Sequence, residues 1–259
     1  AALEHYKSAL LLYDALAAAQ LDDVDAQRDL SMIQDRLADL MTSLGKTDAA
    51  ENAVRASLSI TRRLAESRPD DLALQRDVLV GENKLGTLLE LRDDYTSARA
   101  ERERTLERAK HLAAAEPMSA KAQRDLSIAH STLGDTLHRL GELTLALEHF
   151  RESLAIDARL AAQDPTDMGA QRDLEVSQNK LGDARFAQQD FTGARPFYES
   201  AHAIAERLAT LDVHNVMFQA DLASCKSRLG QVLLALGEVD RGLVLRKGYV
   251  EIYAGLDER

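Results

Sequence analysis

The sequence has one cysteine, no tryptophan, four prolines and an aromatic content of 4%. A single thiol, Cys225, excludes an internal disulfide, suits a reducing compartment and is too little to build a cysteine zinc site. With 45% hydrophobic residues and so few aromatics, the packing must rest on leucine and alanine, which favours closely spaced helices. Positive charge is also short: 32 Lys and Arg stand against 43 Asp and Glu, a net charge of −11 with no basic tract. That leaves no cationic footprint for phosphates and speaks against a nucleic-acid partner. No apolar run approaches the roughly 20 residues of a membrane span, and no cleavable leader pattern opens the chain. No membrane partner and a cytoplasmic location are therefore expected. The alternation of a β-strand is missing throughout.

What is present is repetition. The tag Gln-Arg-Asp-Leu begins at Gln27, Gln123 and Gln171, and returns as Gln-Arg-Asp-Val at Gln75 and Gln-Ala-Asp-Leu at Gln219, a constant step of 48 residues. A fixed period in this range marks a stacked repeat array, in which each unit buries its apolar face against its neighbours. The clearest unit, 121–168, reads as two helices. Leu126, Ala129, Leu133, Leu137 and Leu140 form one apolar stripe at helical spacing. Gly141 follows, where a helix C-terminus favours a left-handed residue. Leu143, Ala146, Leu147, Phe150 and Leu154 form a second stripe that runs to Pro165, which ends it. Thr166 is placed to cap the next helix.

In this unit Leu133-Gly134, the small Ala146 and the aromatic Phe150 resemble the tetratricopeptide (TPR) motif in order and spacing. Leu85-Gly86 with Ala98, Leu181-Gly182 with Ala194 and Tyr198, and Leu37-Ala38 with Ala50 agree. The unit departs from the usual 34 residues of that family. The resemblance implies an all-α fold, a right-handed TPR-like helical-hairpin solenoid of about eleven helices, with Gly86, Gly134 and Gly182 where the two helices of a hairpin touch. On the period, one solenoid spans 1–259: a half repeat at 1–24, full repeats at 25–72, 73–120, 121–168 and 169–216, and a degenerate last repeat at 217–259. The chain lacks a starting Met and opens mid-repeat, Ala2 and Tyr6 matching Ala50 and Val54. We therefore expect a segment of a larger protein. Long repeats of this kind occur in bacterial multidomain proteins, some with kinase or other signalling domains, so the resemblance also admits a regulatory arm of an enzyme whose catalytic domain lies elsewhere.

The resemblance further implies that the first helix of each unit lines a concave groove for a protein or peptide ligand. The groove residues are then Asp35 and Asp39 with Met32 and Arg36 in the first full unit; Asn83, Lys84, Thr87 and Glu90 with Val80 in the second; and Ser131, Asp135 and His138 with Ile128 in the third. Asn179, Lys180, Asp183 and Phe186 with Val176 follow in the fourth, and Arg228 in the fifth. This wall is polar and varied where the packing stripes repeat, as a binding surface would be. Asp39, Asp135 and Asp183 share one register, and Arg36, Lys84, Lys180 and Arg228 another, three residues earlier. Either Arg36–Asp39 and Lys180–Asp183 pair within their helices, or the groove is two-toned and holds an extended peptide of both charges. Asn83-Lys84 and Asn179-Lys180 offer the residue types of the family's carboxylate clamp, but adjacent rather than a turn apart. Phe186 is the aromatic anchor of this wall.

No catalytic, metal or cofactor site is expected. Ser131, Asp135 and His138 follow one helix face with the Asp between Ser and His, whereas a triad needs His in the middle. No two of the seven histidines stand at i,i+3 or i,i+4 within a helix. Gly45-Lys46-Thr47 lacks the preceding Gly of a phosphate loop and reads as a helix end. Cys225 reads as a small buried residue. The recurring Gln-Arg-Asp reads as a ladder tying units together. The charge run Arg99–Arg108 reads as a solvated, self-paired face, or as a charged partner site on the convex side. Pro196 predicts a helix that starts at Thr192 or later, or one that kinks. Gly242 and Arg246 replace the recurring Ala and aromatic of the last unit, whose final helix stays apolar through Leu243, Leu245, Val250, Ile252 and Tyr253. The function that follows is a non-catalytic protein- or peptide-binding scaffold, with self-association through the C-terminal helix as the alternative.

Overall fold

The computed structural model describes residues 2–19 and 23–257; Gln20 to Asp22, the two end segments and the side chain of Ala2, named above as a repeat match, lie outside the described residues. Eleven helices are found among the described residues, and no strand. They are α1 (Ala2–Ala19), α2 (Val24–Ser43), α3 (Thr47–Ser67), α4 (Leu72–Glu90), α5 (Tyr95–Ala115), α6 (Ala120–Arg139), α7 (Leu143–Gln163), α8 (Met168–Ala187), α9 (Phe191–Leu211), α10 (Val216–Ala235) and α11 (Val239–Asp257). The even-numbered helices begin 48 residues apart, and so do the odd-numbered ones from α3 onward. The chain forms two compact units, Ala1–Ala129 and His130–Arg259, described separately below.

Local chemistry explains the regular spacing. Each first helix has a polar N-cap at one register: Asp23, Asp71, Asp167 and Asn215 accept from the backbone N–H groups two and three residues on, and Ser119 Oγ accepts from Ala122 N. Thr166 is therefore not the cap of α8. Its hydroxyl and amide both turn back to Asp164 Oδ1, and the neighbouring Asp167 takes the role. The turn between the helices of a hairpin has one left-handed residue, at Gly45, Asp93, Gly141, Gln189 and Gly237, with φ of 58° to 83°. Gly45 of the Gly-Lys-Thr stretch is thus a helix end.

Within hairpins the helices approach on glycine. A Cβ on Gly134 would lie 2.6 Å from the Phe150 ring, and one on Gly182 2.7 Å from the Tyr198 ring. Gly86 faces the Arg102 guanidinium in the same way, at 2.8 Å. Gly242 is no erosion of the pattern: a Cβ there would meet Leu234 at 2.7 Å and the Gly230 carbonyl at 3.0 Å, so Gly230 and Gly242 let α10 and α11 touch. The helix α9 begins at Phe191 and runs through Pro196, so the late start expected for it does not occur; proline, having no N–H, leaves the Thr192 carbonyl without its helical donor.

The core of the first unit joins Val54 and Leu58 of α3 with Leu74, Val78, Leu85, Leu88 and Leu89 of α4, all buried. The second unit has smaller clusters, one around Ala194, Tyr198, Leu229, Val232 and Leu233, another around Ala201, Ala205, Phe218, Leu222 and Cys225. Side-chain ladders tie hairpins together within each unit. The tag glutamine donates to a carbonyl ten residues back: Gln27 to Ala17, Gln75 to Ala65, Gln171 to Ala161 and Gln219 to Ala209. The tag arginine reaches the tag aspartate of the next hairpin: Arg28 to Asp77, Arg76 to Asp125, Arg172 to Asp221. The recurring Gln-Arg-Asp is this ladder.

Candidate functional site

The first helices of the hairpins (α2, α4 and the start of α6 in the first unit; the rest of α6, α8 and α10 in the second) hold the expected groove residues, and packing within each unit has engaged most of them. Lys84 Nζ donates to Asp39 Oδ1 at 2.8 Å, Lys180 Nζ to Asp135, and Arg228 Nε to both oxygens of Asp183 at 3.0 and 3.1 Å. Each cation pairs with the acid of the preceding hairpin, 45 residues back. The within-helix pairing expected for Lys180–Asp183 does not form, and neither does a two-toned groove with both charges available. The reason is directional: a cation three residues N-terminal to an acid is the poorer arrangement within a helix, while the next helix presents an acid at contact distance.

Asn83, Thr87 and Glu90 serve a buried neighbour instead of a ligand. Arg102 of α5 is only 2% exposed. Its Nε donates to Glu90 Oε1, its Nη1 to the Asn83 carbonyl and Oδ1, and its Nη2 to Thr87 Oγ1 and Glu90 Oε2, at 3.0–3.1 Å. The five N–H groups of a guanidinium are thereby matched to five acceptors, and the planar group lies over Gly86 where the other hairpins place a ring. The run around Arg102 is accordingly not a solvated face. Glu101 is buried against Arg62 and Arg104, and Glu82 of α4 accepts from Arg62 and Arg108. The exposed Arg99–Glu103 and Lys110–Glu107 pairs do behave as a self-paired surface would.

Asn179 is buried, not on the wall. It donates to Glu175 and, at 3.2 Å, to Cys225 Sγ, whose thiol donates to Glu175 Oε1 at 2.9 Å. Burial, the nearby Asp221 adding to it, pushes the Glu175 carboxyl up to about 7 against the pull of Cys225, Arg172 and Arg228. Burial likewise pushes the Cys225 thiol up, away from a reactive thiolate. Phe186 is a half-buried part of the α8–α10 core, its ring 5.0 Å from that of Phe191, so it is no free anchor. Tyr198 donates to Asp183 Oδ1 at 2.7 Å, a second claim on that acid. Asp35 is half-buried, 3.9 Å from Lys84, with Burial the main force holding its carboxyl above the usual range. Ser131 and His138 stay half-buried on α6, and Asp135 between them is held by Lys180, so the three do not converge. Lys180 also lies 5.9 Å above the Phe150 ring.

In the first unit the face also leaves an apolar row open. Met32, Val80 and Ile128 occupy one register of α2, α4 and α6 in the first unit and are 56%, 44% and 43% exposed. Their 48-residue spacing was the available signal, outweighed in the sequence by the charged residues around them. Among the described residues no group of three or more His, Cys, Asp or Glu is placed to hold a metal ion, and no helix is long and apolar enough to cross a membrane.

No protein-family model and no curated protein matches the sequence. Solved structures do. BtubC (BKLC) from P. vanneervenii is similar over 99% of this chain and 91% of its own, with a TM-score of 0.77 at 19% identity. A Podosopora anserina protein described as a kinesin light chain of nearly identical TPR-like repeats is similar over 86% of this chain and 94% of its own, TM-score 0.60 at 16% identity. A Rap protein complexed with competence and sporulation factor is similar over 98% of this chain and 72% of its own, TM-score 0.56 at 15% identity. Hairpins closed on glycine, capped at one register and matched by these structures give the chain the fold of the TPR-like repeat proteins.

Proposed function

We propose that the chain is a non-catalytic scaffold that binds a protein or peptide segment on the face built by the first helices of its hairpins. In this reading 25–72, 73–120, 121–168 and 169–216 act as equivalent units, 1–24 and 217–259 as partial ones, and the protein works in the cytoplasm. One observation carries it: in the first unit Lys84 is taken up by Asp39, while Met32, Val80 and Ile128 stay exposed at a single register. A lone exposed apolar side chain needs no explanation, whereas a row of them on one face suits a partner. The Rap protein of similar fold was solved with a bound factor, which supports the reading by analogy. A peptide array probed with the parent chain and with Met32→Ser/Val80→Ser tests it. Captured peptides are expected to be released by the variant; capture unchanged by the variant, or no capture, counts against the face.

A second reading, self-association, is favoured by α11, where Val239, Leu243, Val244 and Val250 are exposed. Ile252 is half-buried against the α9–α10 core, so it belongs to the packing and not to that surface. Light scattering of the parent against Leu243→Glu/Val250→Glu tests this reading: a dimer that the variant converts to a monomer supports it, and a parent monomer of 28.5 kDa removes it.

A further inference from the structure

One crevice on this face has a chemistry that names its occupant. It lies between α2 and α4, is floored by Thr61 of α3 and encloses about 370 Å3. Asp25, Asp29 and Asp35 line it from α2 and Asp77 from α4, against a single cation, Arg28. Arg28 is already engaged, its Nε and Nη2 both on Asp77 Oδ2 at 2.9 and 2.8 Å. Asp25 and Asp29 form no ion pair among the described residues. Asp35 is 3.9 Å from Lys84, whose ammonium sits at 2.8 Å from Asp39. Three carboxylates of the crevice are therefore under-compensated. Burial, with Asp39 and Asp77 adding to it, holds the Asp35 carboxyl above its ordinary range, so an incoming cation would relieve a cost already present.

Apolar side chains frame these acids. Met32 and Val80 belong to the crevice wall, and Ile128 continues their register one hairpin further. Packed helices lie roughly 8–10 Å apart, and a segment in the polyproline II conformation has three residues per turn at about 3.1 Å each. Every third side chain of such a segment therefore returns to the same face in step with Met32, Val80 and Ile128, and the residues between pass over the carboxylates. We infer that α2, α4 and the start of α6, up to Ala129, take a basic peptide in the polyproline II conformation with apolar side chains at every third position and lysine or arginine between them. The inference rests on the reading of this face as a binding surface and adds the chemical class of its ligand.

The probe is a fluorescein-labelled peptide Leu-Lys-Lys-Leu-Arg-Lys-Leu, followed by anisotropy against the whole chain, with Leu-Glu-Glu-Leu-Asp-Glu-Leu as the acidic counterpart. Exposed ion pairs contribute up to about 1 kcal/mol each, so Asp25→Asn/Asp29→Asn is expected to weaken the basic probe roughly fivefold to tenfold. Met32→Ser/Val80→Ser is expected to weaken it at least tenfold, by loss of two buried apolar contacts. Asp240→Asn/Glu251→Gln on α11 lowers the overall negative charge equally and should leave binding unchanged. All of these positions are exposed or half-buried, and circular dichroism checks that each variant folds. The inference is overturned if the acidic probe binds as well as the basic one, if the crevice variants change binding by less than twofold, or if the α11 variant weakens it as much. Failure of the basic probe, while the array yields other peptides that Met32→Ser/Val80→Ser releases, would overturn the ligand class and leave the binding face standing. No capture of any kind would remove both.

Discussion

The titration of Glu175 carries a cost that can be read in solution. Its side chain is buried at 2% exposure between α8 and α10, accepting from the Cys225 thiol and from Asn179, with Oε2 facing no donor. Burial raises its carboxyl from the ordinary 4.5 to about 7. At about 1.4 kcal/mol for each tenfold change in proton affinity, the interval from 4.5 to 7 corresponds to about 3 kcal/mol. The sign follows from linkage: between those values the folded chain holds a proton that the unfolded chain has lost, so stability falls as pH rises. The contribution is fully present below pH 4.5, is lost progressively up to about 7, and is absent above. Glu175→Gln keeps an acceptor for the thiol and for Asn179 and cannot ionise. Urea unfolding of parent and variant at pH 5 and pH 8 reads the difference, and the labelling rate of Cys225, the sole thiol, reads local opening of the same interface. Near pH 5 the two proteins should differ little. At pH 8 the variant should be more stable by up to about 3 kcal/mol and its thiol slower to label than the parent's at the same pH. A parent–variant difference that stays constant from pH 5 to pH 8 would refute the reasoning.

Gly134→Ala places a Cβ 2.6 Å from the Phe150 ring and should cost about 1–3 kcal/mol by overpacking; thermal unfolding checks it, with partial rescue expected from adding Phe150→Leu. Arg102→Met removes the partner of Glu90 and leaves five acceptors without their donors, so unfolding in urea should show a loss of roughly 3 kcal/mol. The half-exposed Lys180–Asp135 pair is expected to contribute no more than about 1 kcal/mol in a double-mutant cycle to alanine, and less as salt is raised.

The helical hairpins could be read from the chain because their causes are local. Gly141 adopts the left-handed turn its position called for, the glycines at 86, 134 and 182 receive an opposing side chain, and the Gln-Arg-Asp tag bridges neighbouring hairpins. Thr166 and Asp167 show the margin of that method. Both can cap a helix, and the choice depended on which side chain reached the first free N–H groups and which turned back to Asp164. Pro196 shows another: the penalty of one missing hydrogen bond did not outweigh a helix start set by Asp190, whose carboxylate accepts from Gly193 N.

The groove was less legible. Charge and register mark Lys84, Asp135 and Asn83 as polar positions of the first helices but do not say which partner is nearest. That follows from the gap between hairpins, which puts Lys84 on Asp39, and from the packing inside a hairpin, which aligns Arg102 with Asn83, Thr87 and Glu90. Aromatic character likewise did not make Phe186 an anchor, since its ring had a hydrophobic neighbour in Phe191. Periodicity, caps and turn residues act over three or four positions, so the residue order alone specified eleven helices in hairpins and their 48-residue step. Hydrogen bonds and ion pairs across hairpins depend on distances between residues about 45 apart. Packing therefore settled which polar groups are consumed and left Met32, Val80 and Ile128, beside the carboxylates of α2, as the open part of the face.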